Sequence, residues 1–263
     1  MSLEFLWNAT SLSDTSQGIL KVTEAISIVE QGPEATATKK IGLIGGLALR
    51  AGVFYYEQIL KRYAADKRPL KLVLSHADVN TVLAYVGGGD RAGLGRYLGT
   101  LANELFDAGA NLVAVTAVAP HLAIEEIAGM ARGPVVDVLG CIPAGLAAAG
   151  IERVAIFGNR AVMNTNAFGS IAIDRVVRLE PPVLDAVHAM YNDIALFGKR
   201  GTPTEVAFLE RTARDLIDRG GAQAILLAGT DLSSFYADQP PSFPYLDVAR
   251  LHIDEILRRA VIA

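Results

Sequence analysis

Twice along this chain an amphipathic helix ends in a glycine turn and runs straight into a short, wholly apolar segment. The first passage is Asp107-Ala108-Gly109-Ala110-Asn111, leading into the run that ends at Thr116. The second is Asp218-Arg219-Gly220-Gly221-Ala222-Gln223, leading into the run that ends at Gly229. A short apolar run without polar alternation reads as a strand buried on both faces, the kind found in parallel sheets covered by helices. Parallel strands need helical crossovers, and these are right-handed. The repeat therefore predicts an α/β protein of two pseudo-symmetric parallel-sheet lobes. Ligands of such folds bind outside the carboxyl ends of the strands, here in the cleft between the lobes.

The other elements follow the same rhythm. Ile41 to Gly46 reads as a strand running into a glycine turn, followed by a helix over Val53 to Tyr63, a strand from Leu70 to Ser75 and a polar loop with Asp78 and Asn80. Leu94, Leu98, Leu101 and Leu105 mark a helix face closed by Gly109. Pro120 suits the first turn of a helix reaching Met130, and Val135 to Leu139 completes the first half. The second half begins with a strand from Arg153 to Phe157, then a helix starting near Met163. Asp174 to Leu179 reads as a further strand, broken by Pro181-Pro182. Val206, Leu209, Ala213, Leu216 and Ile217 form a helix face, Ala224 to Ala228 a buried strand, and Val248 to Ala260 the last helix. The expected divisions are an N-terminal extension (1–38), a first lobe (39–145), a second lobe (146–243) and a C-terminal helix returning to the first lobe (244–263). In the extension, Ile19, Val22, Ile26 and Val29 recur at helical spacing, as in a short amphipathic helix packed on the body or on a second subunit.

Composition narrows the function. A hydrophobic fraction of 51% against 20% charged residues suits buried parallel strands, and a net charge of -4 argues against a nucleic-acid partner. No apolar stretch is long enough to span a bilayer, and the N-terminus lacks the pattern of a secretory signal, so no membrane association and a cytoplasmic location are expected. With one cysteine, Cys141, neither an internal disulfide nor a cysteine metal cage is possible. Its apolar neighbours and the lack of an adjacent base mark it as buried and inert.

Chemistry should lie at the strand ends, which carry Gly45, Gly46, Asp78, Thr116, His121, Asn159, Gly229, Thr230 and Asp231. Gly45-Gly46 before a helix reads either as a backbone-lined anion pocket or as a turn needing glycine for steric reasons alone. A threonine hydroxyl such as that of Thr116 hydrogen-bonds a ligand but is no base near neutral pH without a partner. His121, in a first helical turn, reads as a neutral hydrogen-bond donor or as a structural histidine. Asp231 reads as a ligand-facing carboxylate or as a helix N-cap.

Four of these segments, taken in order, resemble the aspartate/glutamate racemase superfamily. Ile41-Gly42-Leu43-Ile44-Gly45-Gly46 with the following Tyr55-Tyr56 resembles its opening strand and helix. Ala108-Gly109-Ala110 leading to Thr116 and His121 resembles its segment A-G-A-x-x-x-x-x-C-N-T-x-H. Gly221-Ala222-Gln223 leading to Gly229-Thr230-Asp231 resembles the second segment, which ends C-T-E or C-T-H. Pro244-Tyr245-Leu246-Asp247 with His252 resembles the closing P-x-x-D and its histidine. The likeness covers roughly residues 41 to 260.

The resemblance implies amino-acid racemisation without cofactor or metal, usually in a homodimer. A small carboxylate or amino acid would be held by Gly45, Gly46, Arg50, Asp78, His121, Asn159, Gly229 and Thr230, with Thr116 and Asp231 as the catalytic candidates. The family works with two thiols facing the α-carbon from opposite sides, which suits a group whose unperturbed pKa is about 8.5. Here Thr116 and Gly229 stand in the two thiol positions. The Asn and Thr after the first thiol are Val118 and Ala119, or neighbours within one residue, and the hydroxyl residues after the opening glycines are replaced by Arg50, Ala51 and Gly52. The two-thiol mechanism cannot operate as written. The expected function is a cofactor-independent isomerase with altered acid–base groups; the alternatives are a small-carboxylate-binding pseudoenzyme and a decarboxylase-type activity in the same cleft.

Overall fold

The computed structural model describes residues 38–198 and 202–261. The helix expected from Ile19 to Val29 lies outside the described residues.

Among the described residues, seven parallel strands make two sheets. The first is built from β1 (Ile41–Gly45), β2 (Leu72–His76), β3 (Leu112–Val115) and β4 (Val135–Val136), in the order β2-β1-β3-β4. The second is built from β5 (Val154–Gly158), β6 (Ala224–Ala228) and β7 (Tyr245–Asp247), in the order β5-β6-β7. In the first sheet Ile41 registers with both Leu72 and Leu112; in the second, Val154 registers with Ala224. Every residue of β1, β3, β5 and β6 is buried, which is why these four strands read as unbroken apolar runs.

The helices around the first sheet are α1 (Ala51–Ala65), α2 (Val79–Gly88), α3 (Arg91–Asp107) and α4 (Ile124–Met130), with a 3₁₀ turn over Ala119–Ala123. Leu94, Leu98 and Leu105 of α3 are buried as expected. The stretch with Asp78 and Asn80 is not a loop. Asp78 accepts from the Thr81 N–H at 2.7 Å and starts α2, so its polarity is that of a cap. Val135 to Leu139 is likewise divided, because Asp137 caps α5 (Val138–Ala148) two residues after the strand begins to pair.

Around the second sheet lie α6 (Arg160–Asn164), α7 (Pro181–Phe197), α8 (Pro203–Asp218) and α9 (Thr230–Phe235), and the last helix is α10 (Val248–Ala260). The strand expected over Asp174 to Leu179 does not form. That stretch holds a three-residue 3₁₀ turn and touches the sheet through one bridge, Val176 to Val154. Pro181-Pro182 opens α7 instead of breaking a strand, since proline in a first turn gives up only an N–H that would be unpaired anyway.

The cores do not follow the order of the chain. Val138, Leu139, Ile142 and Leu146 of α5, which follows the first sheet, pack into the core around β5 and β6. Ala249, Ile253, Ile256 and Ala260 of α10, which follows the second sheet, pack with Ile41, Leu43, Tyr55 and Ile59. Each lobe is thus completed by a helix whose preceding strand belongs to the other.

Candidate active site

The carboxyl ends of β3 and β6 meet. Thr230 donates its hydroxyl to the backbone carbonyl of Thr116 at 3.0 Å, with both residues buried. The Thr116 hydroxyl is itself committed, donating to the Ile44 carbonyl at 3.0 Å. It anchors β3 to β1 and has no basic partner.

Gly229 precedes α9 in extended backbone, and a Cβ built on it would lie 2.3 Å from Cε2 and 2.9 Å from the hydroxyl oxygen of Tyr191. The place of a side chain at this thiol position is filled by an aromatic ring. Tyr191 comes from the middle of α7, a helix the sequence reading did not find. Its hydroxyl donates to Oδ2 of Asp231 at 3.3 Å.

Asp231 lies inside α9 and is 2% exposed, and Gly229 rather than Asp231 takes the N-cap position. Its Oδ1 is buried without a hydrogen-bond partner. Burial pushes the carboxyl up to about 6, against the opposing pull of the Tyr191 hydrogen bond and the Arg50 charge. Burial and the Asp231 charge in turn hold the Tyr191 phenol well above its usual range. Arg50, just before α1, donates from Nε to Ser234 Oγ at 3.1 Å. Arg50, Asp231, Ser234, Asp238 and Gln239 line a cavity of about 170 Å³. A cation and a carboxyl of raised pKa thereby face one small space, with Asp238 a second acid in its lining and the Tyr191 phenol bonded to Asp231 from outside that lining, an arrangement that pairs an anion-holding group with one able to exchange a proton.

The remaining candidates are placed differently. Gly45 and Gly46 border a second cavity whose other walls are largely apolar side chains. Gly46 has φ +79°, and a Cβ there would come 2.3 Å from the Ala77 carbonyl oxygen, so its glycine is required sterically. Asp78 and Asn159 spend their side chains on the N–H groups of Thr81 and Val162, as caps of α2 and α6. His121 is buried, its Nδ1 2.8 Å from the Ala117 carbonyl, and its ring stands edge-on to His252 at 5.7 Å. His252 faces the Val136 carbonyl through Nε2 and the Tyr55 hydroxyl through Nδ1, each at 2.9 Å. The carbonyl only accepts, so Nε2 carries the proton and Tyr55 donates to Nδ1. Burial and His121 push His252 down to about 3, which leaves it a neutral structural group. Cys141 lies on the groove between α5 and α10, its thiol pushed up to about 11 mainly by burial.

Among the described residues no group of three or more His, Cys, Asp or Glu side chains is arranged to hold a metal ion, and no helix is long and apolar enough to cross a membrane.

Paired parallel-sheet lobes thus meet at their strand ends, with an acid and an arginine beside the junction. The chain belongs to the Asp/Glu/hydantoin racemase family, whose model matches residues 44–256. It is similar in structure to a presumed Asp/Glu racemase of Yersinia pestis, with TM-score 0.70 and 20% identity over 85% of this chain and 100% of that one. An aspartate racemase homologue from Pyrococcus horikoshii OT3 superimposes with TM-score 0.69 at 19% identity, over 84% and 99% of the two chains. For an aspartate racemase of Picrophilus torridus the values are 0.61 and 16%, over 84% and 94%. At such identities the likeness is one of fold. No curated protein sequence matches the chain.

Proposed function

We propose that this protein is a cofactor-independent isomerase-type enzyme acting on a small carboxylate, with one acid–base group, Asp231, in place of the family's pair of thiols. The observation that carries this reading is the buried Asp231 carboxyl, with Oδ1 unpartnered, on the wall of a cavity that it shares with Arg50. Arg50 would hold the substrate carboxylate. Asp231, as carboxylate, would take the proton from the adjacent carbon, leaving the electron pair on an enolate. The resulting carboxylic acid would return a proton to that carbon or to its conjugated neighbour. Tyr191, donating to Oδ2, would keep the carboxylate aligned without taking the proton itself. A homodimer and a cytoplasmic location belong to the same family-based reading.

A second reading, binding without turnover, draws on the same junction. The Thr116 hydroxyl is spent on Ile44, and the Tyr191 ring stands against Gly229, so neither of the two positions that carry thiols in the family offers a free acid–base group. Incubating single enantiomers of small amino acids and 2-substituted acids in D₂O, with NMR detection, separates the two. Exchange of the α-proton that disappears in Asp231→Asn supports the enzyme. Binding without exchange supports the second reading. Release of CO₂ from a malonate-type diacid would support decarboxylation instead.

A further inference from the structure

β5 is an outer strand of the second sheet. The stretch from Asp174 to Leu179 pairs with its free edge once, at Val154 and Val176, where the Val177 N–H donates to the Val154 carbonyl at 2.9 Å. The Arg153 carbonyl turns the other way and accepts from the Gln223 N–H, on the β6 side, at 2.8 Å. Backbone groups alternate in direction along a strand, so the N–H and C=O of Ile156 face the free edge. Among the described residues no hydrogen bond continues the pairing to Ile156, although that residue is only 1% exposed. A buried backbone donor and acceptor left unpaired are costly. Ile156 on one side, with Val177 and Leu179 on the other, lines a cavity of about 510 Å³, a volume usual for small-molecule sites. Met163 of α6 and Leu184 of α7 extend its apolar wall, and Arg160, Arg178 and Asp185 supply its charges. Arg160 is taken by Asp185, Nη1 to Oδ1 at 3.0 Å. Among the described residues Arg178 reaches only the Asn166 side-chain oxygen, at 3.5 Å.

We infer that this cavity is a second ligand site, separate from Arg50 and Asp231, and that it takes an N-acylated amino acid with an apolar side chain. The amide of such a ligand offers the donor and acceptor of a neighbouring strand, and pairs with Ile156 where the stretch from Asp174 to Leu179 does not. Its carboxylate meets the exposed Arg178 guanidinium, the one cation that the acid in the lining leaves unbalanced. Its side chain leaves water among Met163, Leu179 and Leu184. A free amino acid lacks the amide. It would also bring an ammonium group to a wall whose one carboxylate, Asp185, already holds Arg160. The inference does not depend on the proposed reaction.

The test is calorimetric titration of the whole protein with N-acetyl-leucine, 4-methylpentanoate, N-acetyl-leucinamide and leucine. The first offers amide, carboxylate and side chain together; the second and fourth lack the amide, and the third lacks the carboxylate. Each hydrogen bond contributes severalfold, and one to a charged group more, so N-acetyl-leucine is expected to bind roughly tenfold tighter than the other three. Arg178→Met, at an exposed position, is expected to weaken that binding by about tenfold with the thermal transition retained, and Arg50→Met to leave it unchanged. 4-Methylpentanoate or N-acetyl-leucinamide binding as tightly as N-acetyl-leucine overturns the inference. So does the failure of N-acetyl-leucine to bind at millimolar concentration. Affinity lost in Arg50→Met and kept in Arg178→Met would place the ligand in the other cavity, and would also overturn it. In each case the proposed function still stands, because its own test reads α-proton exchange.

Discussion

The ring of Tyr191 occupies the place of a side chain on Gly229: its Cε2 lies 2.3 Å from where that Cβ would be. The two residues belong to different elements, α7 and the turn before α9, and each is possible only with the other. Gly229→Ala is expected to lose about 1–3 kcal/mol, the range for overpacking a filled site. Tyr191→Leu should relieve much of that loss, giving a coupling energy well above additivity in a double-mutant cycle. Independent losses in denaturant melts would show that the backbone moves and the ring does not matter.

Restoring thiols follows from the same contact. With Tyr191 in place, Thr116→Cys combined with Gly229→Cys is expected to give no α-proton exchange on amino acids. Adding Tyr191→Ala makes room for the second sulfur and is the background in which exchange should be sought. Exchange already in the double variant would mean that the ring swings away at little cost.

Asp231 makes stability depend on pH. Its folded pKa of about 6 exceeds the unfolded value near 3.9, so the folded state holds its proton more readily. The contribution is full below pH 4 and is lost as pH rises through 6, a change on the order of 3 kcal/mol. Asp231→Asn should remove it. The variant is expected to gain on the native protein in urea melts between pH 4 and pH 7.5. Parallel pH profiles for the two proteins would refute the assignment.

His252 acts with the opposite sign. Its folded pKa is depressed to about 3 from an ordinary value near 6.5, so its contribution is present above pH 6.5 and is lost as pH falls towards 3. Its ring resonances are expected not to titrate above pH 5. Tyr55→Phe, which leaves Nδ1 without its donor, should cost about 1–3 kcal/mol, read as a lowered unfolding midpoint. A titration midpoint near 6 would mean that water reaches the pair.

Cys141 is expected to react slowly with a disulfide reagent at pH 7.5 in the folded protein, because its thiol lies near pKa 11. Cys141→Ala should leave ligand binding intact. A large loss of binding in a folded variant would place a thiol in the site.

What the sequence revealed and what it hid divide along physical lines. Val248 to Ala260 was legible to the residue, because an Asp cap and a helical apolar period coincide there. The wholly apolar strands were equally plain, since burial on both faces leaves no other composition. Asp174 to Leu179 misled because Val177 and Leu179 are buried, and Val176 partly buried, by packing, with one bridge to the sheet. Misreading Pro181-Pro182 as a break then concealed α7, and with it Tyr191. Thr116, Gly229, Thr230 and Asp231 were read as strand-end residues, and the Thr230 to Thr116 hydrogen bond brings those two ends together. That Asp78 and Asn159 serve as caps was a matter of local spacing that could have been read. That a tyrosine fills the space at Gly229 is a contact across 38 residues with no local signature.

The exchange of helices between the lobes sets an order on the ribosome. The buried members of the second lobe's core run no further than Val248, so that lobe has its parts before the helix that closes the first is complete. Ile41 and Leu43 are among the first core residues synthesised, yet the helix that covers them runs to Ala260, whose carbonyl accepts from the Lys39 N–H at 2.9 Å. The amino-terminal lobe must therefore wait, with apolar surface uncovered, until the residues up to Ala260 have emerged from the exit tunnel. A stop codon between Val248 and Ala260 would spare the second lobe and strand the first.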